Sequence, residues 1–302
     1  MRVYNFGSIN IDYVYRVERF VQPGETLASL SLETVLGGKG ANQSVALARA
    51  GMDVAHIGRL GKADQWAISA LNDFGVNTNG VQMLDGPSGH AIIQVDDKGE
   101  NSIVLHGGAN QTFDATTLEE LLRDARSGDW LLLQNECNAL QEVFAIAQKK
   151  QLHIAFNPAP MSPSVRELPL ELCRVLILNE VEAAQLVGPA MENAVAADAQ
   201  LITTLQQRYP DVIIALTLGG KGATLLENEK VTNVSAPVVD VVDSTGAGDT
   251  FVGYFLGGII SGLSCEASLE RACAAGALAV TVAGATPGIP ELQEVNELSK
   301  GT

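Results

Sequence analysis

Apolar positions along this chain fall into short runs separated by longer amphipathic stretches. Trp130 to Gln134 is almost wholly apolar, the pattern of a strand covered on both faces of a parallel sheet. Arg2 to Ile9, Val54 to Leu60, His153 to Phe156, Val175 to Leu178 and Val212 to Leu218 continue that series. Helical segments are predicted between them, near Asp64 to Phe74, over Thr117 to Arg126 with Thr117 and Glu120 as a capping box, over Leu140 to Lys149, and from Asn179 onward. Strand alternating with helix predicts an α/β protein built on a parallel sheet.

Three stretches break the rhythm. Ala28 to Glu33, Ala91 to Val95 and Asn101 to Leu105 alternate apolar and polar residues, the period of half-buried strands, and the last two flank the turn-rich Asp96 to Glu100. They are expected to pair as a small separate sheet, either a lid or a dimer surface. Two short strands, Ala223 to Glu227 and Val231 to Ser235, precede the apolar helical runs Phe251 to Leu263 and Glu266 to Val282.

With 302 residues, 46% hydrophobic and 18% charged, the chain is globular and long enough for one large domain or two ordinary ones. A formal charge of −16 and a pI near 4.6 argue against a nucleic-acid partner, which needs a basic footprint. Cys137, Cys173, Cys265 and Cys273 show no paired or metal-ligating spacing and read as reduced thiols, as in a cytoplasmic protein. No export signal precedes the first strand, and the apolar runs fall short of a membrane span.

Candidate chemistry lies where strands end. Val242-Asp243-Ser244-Thr245-Gly246-Ala247-Gly248-Asp249-Thr250-Phe251 is a Gly-rich loop entering a helix, whose unpaired N–H groups attract anions. Asp249 falls in the first helical turn, where it either complements the helix dipole or takes the proton from a hydroxyl that attacks a bound phosphate. Gly37-Gly38-Lys39-Gly40-Ala41-Asn42 opens an earlier helix and offers charge and amide groups to a small ligand. Gly7 to Asp12 is read as a polar turn after the first strand, presenting Asn10 and Asp12 at the sheet edge that Glu136 also reaches. Asn179 and Glu182 read as a capping box that could also hold Mg²⁺ through water, and Thr217-Leu218-Gly219-Gly220-Lys221-Gly222 as a Gly-rich crossing beside a nucleotide. There is no G-x-x-x-x-G-K-[ST] loop and no G-x-G-x-x-G after the first strand, which argues against a nicotinamide dehydrogenase; the four histidines are scattered.

Together, Gly37 to Asn42, Asn157-Pro158-Ala159-Pro160, Asn179-x-x-Glu182 and Asp243 to Asp249 resemble the signatures of the ribokinase family of sugar kinases (PfkB-type), in order and over nearly the whole chain. The resemblance implies a three-layer α/β/α sandwich, residues 1–302 forming one domain, with a β lid inserted from about 13–36 and 88–108. It implies transfer of the γ-phosphoryl group of ATP to a primary hydroxyl, with Asp249 as base and the N–H groups of Gly246, Ala247 and Gly248 facing the phosphate. Asn10, Asp12, Gly38, Lys39, Asn42 and Glu136 would hold the sugar. Thr217, Gly219, Gly220, Gly222, Gly248, Cys273 and Asn179 would line the nucleotide site, with Glu182 near Mg²⁺. A potassium ion is expected at Asp243 and Thr245 with backbone oxygens of Ala279, Val282, Gly284 and Gly288.

Two stretches depart from the family pattern. Cys273 stands where Asn or His is common near the adenine, and Gly58 to Trp66 breaks the usual G-x-D-x-x-G spacing. The signatures lie nearer ribokinases than fructokinases or adenosine kinases, which points to ribose or a similar pentose. A nucleoside kinase and a catalytically silent sugar or nucleotide sensor are the alternatives. Open lid edges suggest a homodimer formed through the lid.

Overall fold

The chain begins with β1 (Val3–Phe6), an interior strand of the large sheet, and at Gly7 leaves it for a second, smaller sheet. That sheet takes β2 (Asn10–Arg16) and β3 (Ser31–Gly37), after which α1 (Lys39–Arg49) brings the chain back to β4 (Val54–Gly61). α2 (Trp66–Asp73) and β5 (Asn77–Leu84) finish one edge of the large sheet, and β6 (Gly89–Val95) and β7 (Asn101–His106) return to the small one. The computed structural model describes residues 1–188 and 199–300.

From there strands and helices alternate: α3 (Ala115–Leu121), β8 (Trp130–Gln134), α4 (Leu140–Lys150), β9 (His153–Asn157), β10 (Cys173–Asn179), α5 (Glu180–Val187), α6 (Ala199–Arg208) and β11 (Ile213–Thr217). The hairpin of β12 (Ala223–Glu227) and β13 (Lys230–Val234) closes the sheet. Last come α7 (Ala247–Ile260), α8 (Cys265–Ala279), the single turn α9 (Ala285–Gly288) and α10 (Leu292–Lys300).

The large sheet has nine strands in the order β13-β12-β11-β10-β9-β8-β1-β4-β5, parallel from β11 to β5 and antiparallel at the β12–β13 end. Along β8 the side chains alternate between two cores. Leu131 and Leu133 join Phe144 of α4 and Leu205 of α6, while Trp130 and Leu132 join Tyr254 and Phe255 of α7 and Leu269 of α8. Helices on both faces of a mostly parallel sheet make the three-layer α/β/α sandwich expected from the sequence. The small sheet, order β3-β2-β6-β7, pairs β2 with β6 in parallel and its outer strands antiparallel.

β1 lies between β4, which follows it on one side, and β8, which opens the run on the other. Where strand order reverses, the carboxyl ends of β1 and β8 diverge and leave a crevice, the usual binding position in open α/β sheets. Gly7, Ser8 and Glu136 lie at its mouth.

Several expectations are corrected. Asn10 and Asp12 are not on a turn closing β1; they begin β2, because the chain re-pairs with Gly37 and Gly89 immediately after Gly7 to Ile9. The strand read at Ala28 to Glu33 lies at Ser31–Gly37, and most of it is exposed, so alternation there did not mark a buried face. The cap of α3 is Asp114, whose side chain accepts from the Thr117 N–H, in place of a Thr117–Glu120 box. β5, α6 and α10 were absent from the sequence reading.

Candidate active site

The helix start that carries Asp249 is built on Gly246. Its φ of +78° is left-handed, and a Cβ there would come within 2.8 Å of Ala285 Cα, so glycine is required to bend the loop into α7. No side chain caps this end. The Ala247 N–H turns back to the Ser244 carbonyl at 3.3 Å, whereas those of Gly246, Gly248 and Asp249 have no hydrogen-bond partner among the described residues. Open amides and the positive end of the α7 dipole point the same way.

Asp249 is 8% exposed and held from both sides. Asn42 Nδ2 donates to Oδ2 and Gln43 Nε2 to Oδ1, each at 2.9 Å. Both amides come from the first turns of α1, which reaches the site because Gly40 packs on the chain after β1. A Cβ on Gly40 would lie 2.4 Å from the Ser8 amide nitrogen. Asn42 Oδ1 accepts from Thr286 Oγ1 at 3.2 Å, so α9 closes the far side.

Toward the small sheet the pocket is rich in acceptors. Glu136 Oε2 accepts from the Ser8 hydroxyl and from the Lys39 N–H, the latter at 3.0 Å. Burial raises the Glu136 carboxyl above the ordinary carboxylate range, and Asp249 adds to the rise, against the lowering by Ser8 and Lys39. Burial, with a smaller push from Glu136, raises Asp12 to about 6. Asn10 is 4% exposed, and its Oδ1 is occupied by Asn110 Nδ2 at 2.8 Å, which leaves its own NH₂ as the donor it can offer a ligand. Gly38 precedes α1 at a φ of +94°.

Toward the other side two cavities meet at the start of α7. The smaller, about 240 Å³, is lined by Lys39, Asn179, Glu182, Gly246, Gly248 and Asp249. Asp249, then Glu136 and Glu182, raise the Lys39 ammonium pKa against the lowering by burial, keeping it charged. Asn179 and Glu182 form the expected capping box: the Glu182 N–H donates to Asn179 Oδ1 at 2.8 Å and the Asn179 N–H to Glu182 Oε2 at 2.9 Å. Burial raises the Glu182 carboxyl, and Asn179 and Lys39 partly offset this. The larger cavity, about 500 Å³, has Thr217, Gly219, Gly220 and Gly222 on one wall, Cys273 on α8 opposite, and the apolar Val238 and Val241 at its rim.

Beside the loop, Asp243 Oδ1 accepts from the Thr245 N–H at 2.9 Å and hydroxyl at 2.6 Å, and its Oδ2 from the Gly284 N–H at 2.8 Å. These bonds hold the carboxyl below its ordinary value despite some burial. A Cβ on Gly288 would lie 2.9 Å from the Ala279 carbonyl oxygen and 3.3 Å from that of Val282, so these oxygens converge where only glycine fits. No group of three His, Cys, Asp or Glu suited to a metal occurs among the described residues.

Lys39, Asn179, Glu182, Thr217, Gly219, Gly220, Gly222, Gly246, Ala247, Gly248, Asp249 and Cys273 thus line the two cavities, and Glu136 lies beside Lys39 and near Asp12 on the small-sheet side. Sequence reasoning missed Ser8, Gln43, Asn110, Asn157 and the Val238–Val241 wall. Gln43 adjoins Asn42 in the Gly-rich signature and could have been found there. Ser8 and Asn157 lie in the Gly7 to Asp12 and Asn157 to Pro160 stretches, which gave them no role of their own, and Asn110 and the Val238–Val241 wall carry no motif.

A buried carboxylate at an uncapped helix start, between an acceptor-rich pocket and a cavity suited to a nucleotide, is the arrangement of a phosphotransferase acting on an alcohol. Residues 2–292 match the model of the pfkB family carbohydrate kinase, and the chain belongs to that family. The ribokinase of Haemophilus influenzae is 34% identical over 300 residues, covering 96% of each chain. Two solved structures superpose closely. A ribokinase from Cryptococcus neoformans in complex with ADP has a TM-score of 0.87 at 34% identity, covering 98% of both chains. An Arabidopsis thaliana ribokinase complexed with ribose and ATP has a TM-score of 0.87 at 32% identity, covering 99% of this chain and 98% of that one.

Proposed function

We propose that the protein is an ATP-dependent ribose kinase that forms ribose 5-phosphate. The observation that carries this reading is the position of Asp249, fixed by two amides at the meeting point of the sugar-side pocket and the phosphate-side cavity. Full-length likeness to ribokinases, one of them solved with ribose and ATP, supports the choice of substrate.

In this reading Asp12 and Glu136 accept from sugar hydroxyls, Asn10 donates through its free NH₂, and the primary hydroxyl lies against Asp249. Asp249 takes the hydroxyl proton as the oxygen attacks. The open amides at the start of α7 stabilise the charge that develops on the transferring group, and Lys39 adds a positive charge from the opposite wall. ATP, when bound, supplies the phosphoryl group, and Mg²⁺ neutralises its oxygens. Asn179 and Glu182 would hold that magnesium through water, since Glu182 keeps one carboxylate oxygen free of hydrogen bonds among the described residues. The converging carbonyls of Ala279 and Val282, with Asp243, suit a potassium ion that would stiffen the loop leading into α7. A dimer through the small sheet and residence in the cytoplasm complete the proposal.

Turnover of ATP by the purified protein against a panel of pentoses, hexoses and nucleosides, with Mg²⁺ and with or without potassium, tests it. Ribose-dependent, potassium-stimulated turnover is expected. Preference for another acceptor would overturn the substrate, and equal rates in sodium and potassium would overturn the cation site.

A further inference from the structure

Beneath Asp249 a chain of buried amides runs between α1 and the strands it covers, across one face of the sheet from β9 to β4. Gln43 is fully buried and too deep to touch a sugar. Its Nε2 donates one proton to Asp249 Oδ1 at 2.9 Å and the other to Asn157 Oδ1 at 3.0 Å, and its Oε1 accepts from Gln134 Nε2 at 2.7 Å. Gln134 Nε2 also donates to Asn5 Oδ1 at 2.9 Å. Asn5 Nδ2 donates to the Gly40 carbonyl at 2.7 Å and to Ser44 Oγ at 2.8 Å. Ser44 is 2.8 Å from His56 Nδ1, and His56 Nε2 is 3.1 Å from the Gly7 carbonyl.

The direction of every bond in this chain is set by its ends. A carboxylate at one end and the carbonyls of Gly40 and Gly7 at the other only accept. His56 must therefore donate from Nε2 and accept at Nδ1, which orients the Ser44 hydroxyl. Asn5 must turn its NH₂ to Gly40 and Ser44, and its oxygen to Gln134. Flipping Gln134 would set its oxygen against Gln43 Oε1 and Asn5 Oδ1, so it keeps its present orientation although its own Oε1 has no partner among the described residues. Gln43 is left with one orientation, both protons toward Asn157 and Asp249. Burial lowers the His56 pKa to about 4, in keeping with a neutral ring that has a single tautomer here.

We propose that Gln43 is a positioning residue for the catalytic carboxylate, and that the amide chain from His56 through Gln134 fixes its orientation. With Oδ2 held by Asn42 and Oδ1 by Gln43, rotation of the Asp249 carboxyl is blocked and one lone pair stays aimed at the substrate hydroxyl. This inference rests on Asp249 being the base.

The test compares Gln43→Met, Gln43→Glu and Asp249→Asn in the full chain by steady-state kinetics across pH, ribose calorimetry and thermal unfolding. Gln43→Met keeps the volume and removes the donors. It is expected to lower kcat by about 10- to 10²-fold, as a misplaced reacting group does, with the KM for ribose and ATP within about threefold. In Gln43→Glu, the introduced carboxyl can still donate to Asp249 while it is protonated and repels it once ionised. Turnover of that variant is therefore expected to fall as pH rises through the titration of the new group. Lys39, Glu136 and Glu182 also face Asp249, but parent and variant share them, so the difference between their profiles isolates position 43.

A folded Gln43→Met with kcat within about twofold of the parent would overturn the proposal, as would a rise in KM that tracks lost thermal stability with kcat unchanged. If that variant does not fold, Gln43→Glu decides, and a pH profile parallel to the parent's counts against the role. An active Asp249→Asn would remove the base and the proposal together. An inactive Asp249→Asn beside an unimpaired Gln43→Met would remove only the proposal.

Discussion

Asp12 titrates much closer to neutrality than an ordinary carboxylate. Burial first, and Glu136 second, raise it to about 6. In its proposed role the ionised form accepts hydrogen bonds from sugar hydroxyls, and the protonated form has lost most of that capacity. Sugar binding should therefore be strongest above that value and weaken on the acid side, where Glu136, also raised, acts in the same direction. The KM for ribose is expected to climb by up to about tenfold per pH unit below that value. Asp12→Asn should bind less tightly near neutrality and show a flatter acid limb. A KM for the parent that stays level from about pH 7 to about pH 5 would show that Asp12 is not a sugar acceptor.

Some residues were legible in advance because their chemistry needs glycine beside it. Asp249 and Lys39 stand in Gly-rich loops because ligands must approach backbone there, and such loops are visible in a string of letters. Gln43 and Gln134 act through orientation inside the core. Gln134, an amide at the end of an otherwise apolar strand, has no spacing signature, and although Gln43 adjoins the Gly-rich signature, only the folded chain shows what it holds.

α1 and α7 each carry half of the contact that holds the proposed base, Asn42 and Gln43 on one and Asp249 on the other. Their separation is set by small residues: a Cβ on Gly253 of α7 would lie 2.3 Å from Ala46 Cβ of α1, and one on Gly257 would lie 3.0 Å from Ala50 Cβ. Gly253→Ala must therefore push the helices apart. It is expected to cost about 1–3 kcal/mol in denaturant unfolding, as overpacking does, and to lower kcat by drawing Asp249 from its amides. Unchanged stability and kcat would show that the interface yields elsewhere. Elements buried on both faces, such as β8, were read from the sequence with their ends in place, because hydrophobicity alone defines them. β2 was misread because what makes Asn10 to Arg16 a strand is pairing with β3 and β6, distant in sequence. β5, at an edge and rich in Asn and Gln, lacked the apolar content that marks its neighbours.

At the scale of the whole molecule, the small sheet leaves apolar side chains uncovered on both of its faces. β7 is exposed along its length, with Ile103 at 54% and Leu105 at 50%, and Leu32 and Val35 of β3 are likewise open. Proteins seldom leave such strands bare. A second copy of the chain is the proposed cover, and light scattering is expected to give a dimer mass. Ile103→Glu with Leu105→Glu, two positions on one side of β7, should give a monomer. A parent that is monomeric at micromolar concentration would refute the dimer.

Asp249 and Asn42 are 207 positions apart, and Thr286 and Asn42 are 244 apart. A ribosome making this chain releases the strands proposed to face the sugar long before the helix that bears the proposed base. While α7 is still in the exit tunnel the growing polypeptide has neither the base nor the helix start that faces the phosphate, so it cannot spend ATP. In the proposed mechanism a copy can act only after α7 has been made and has docked against α1.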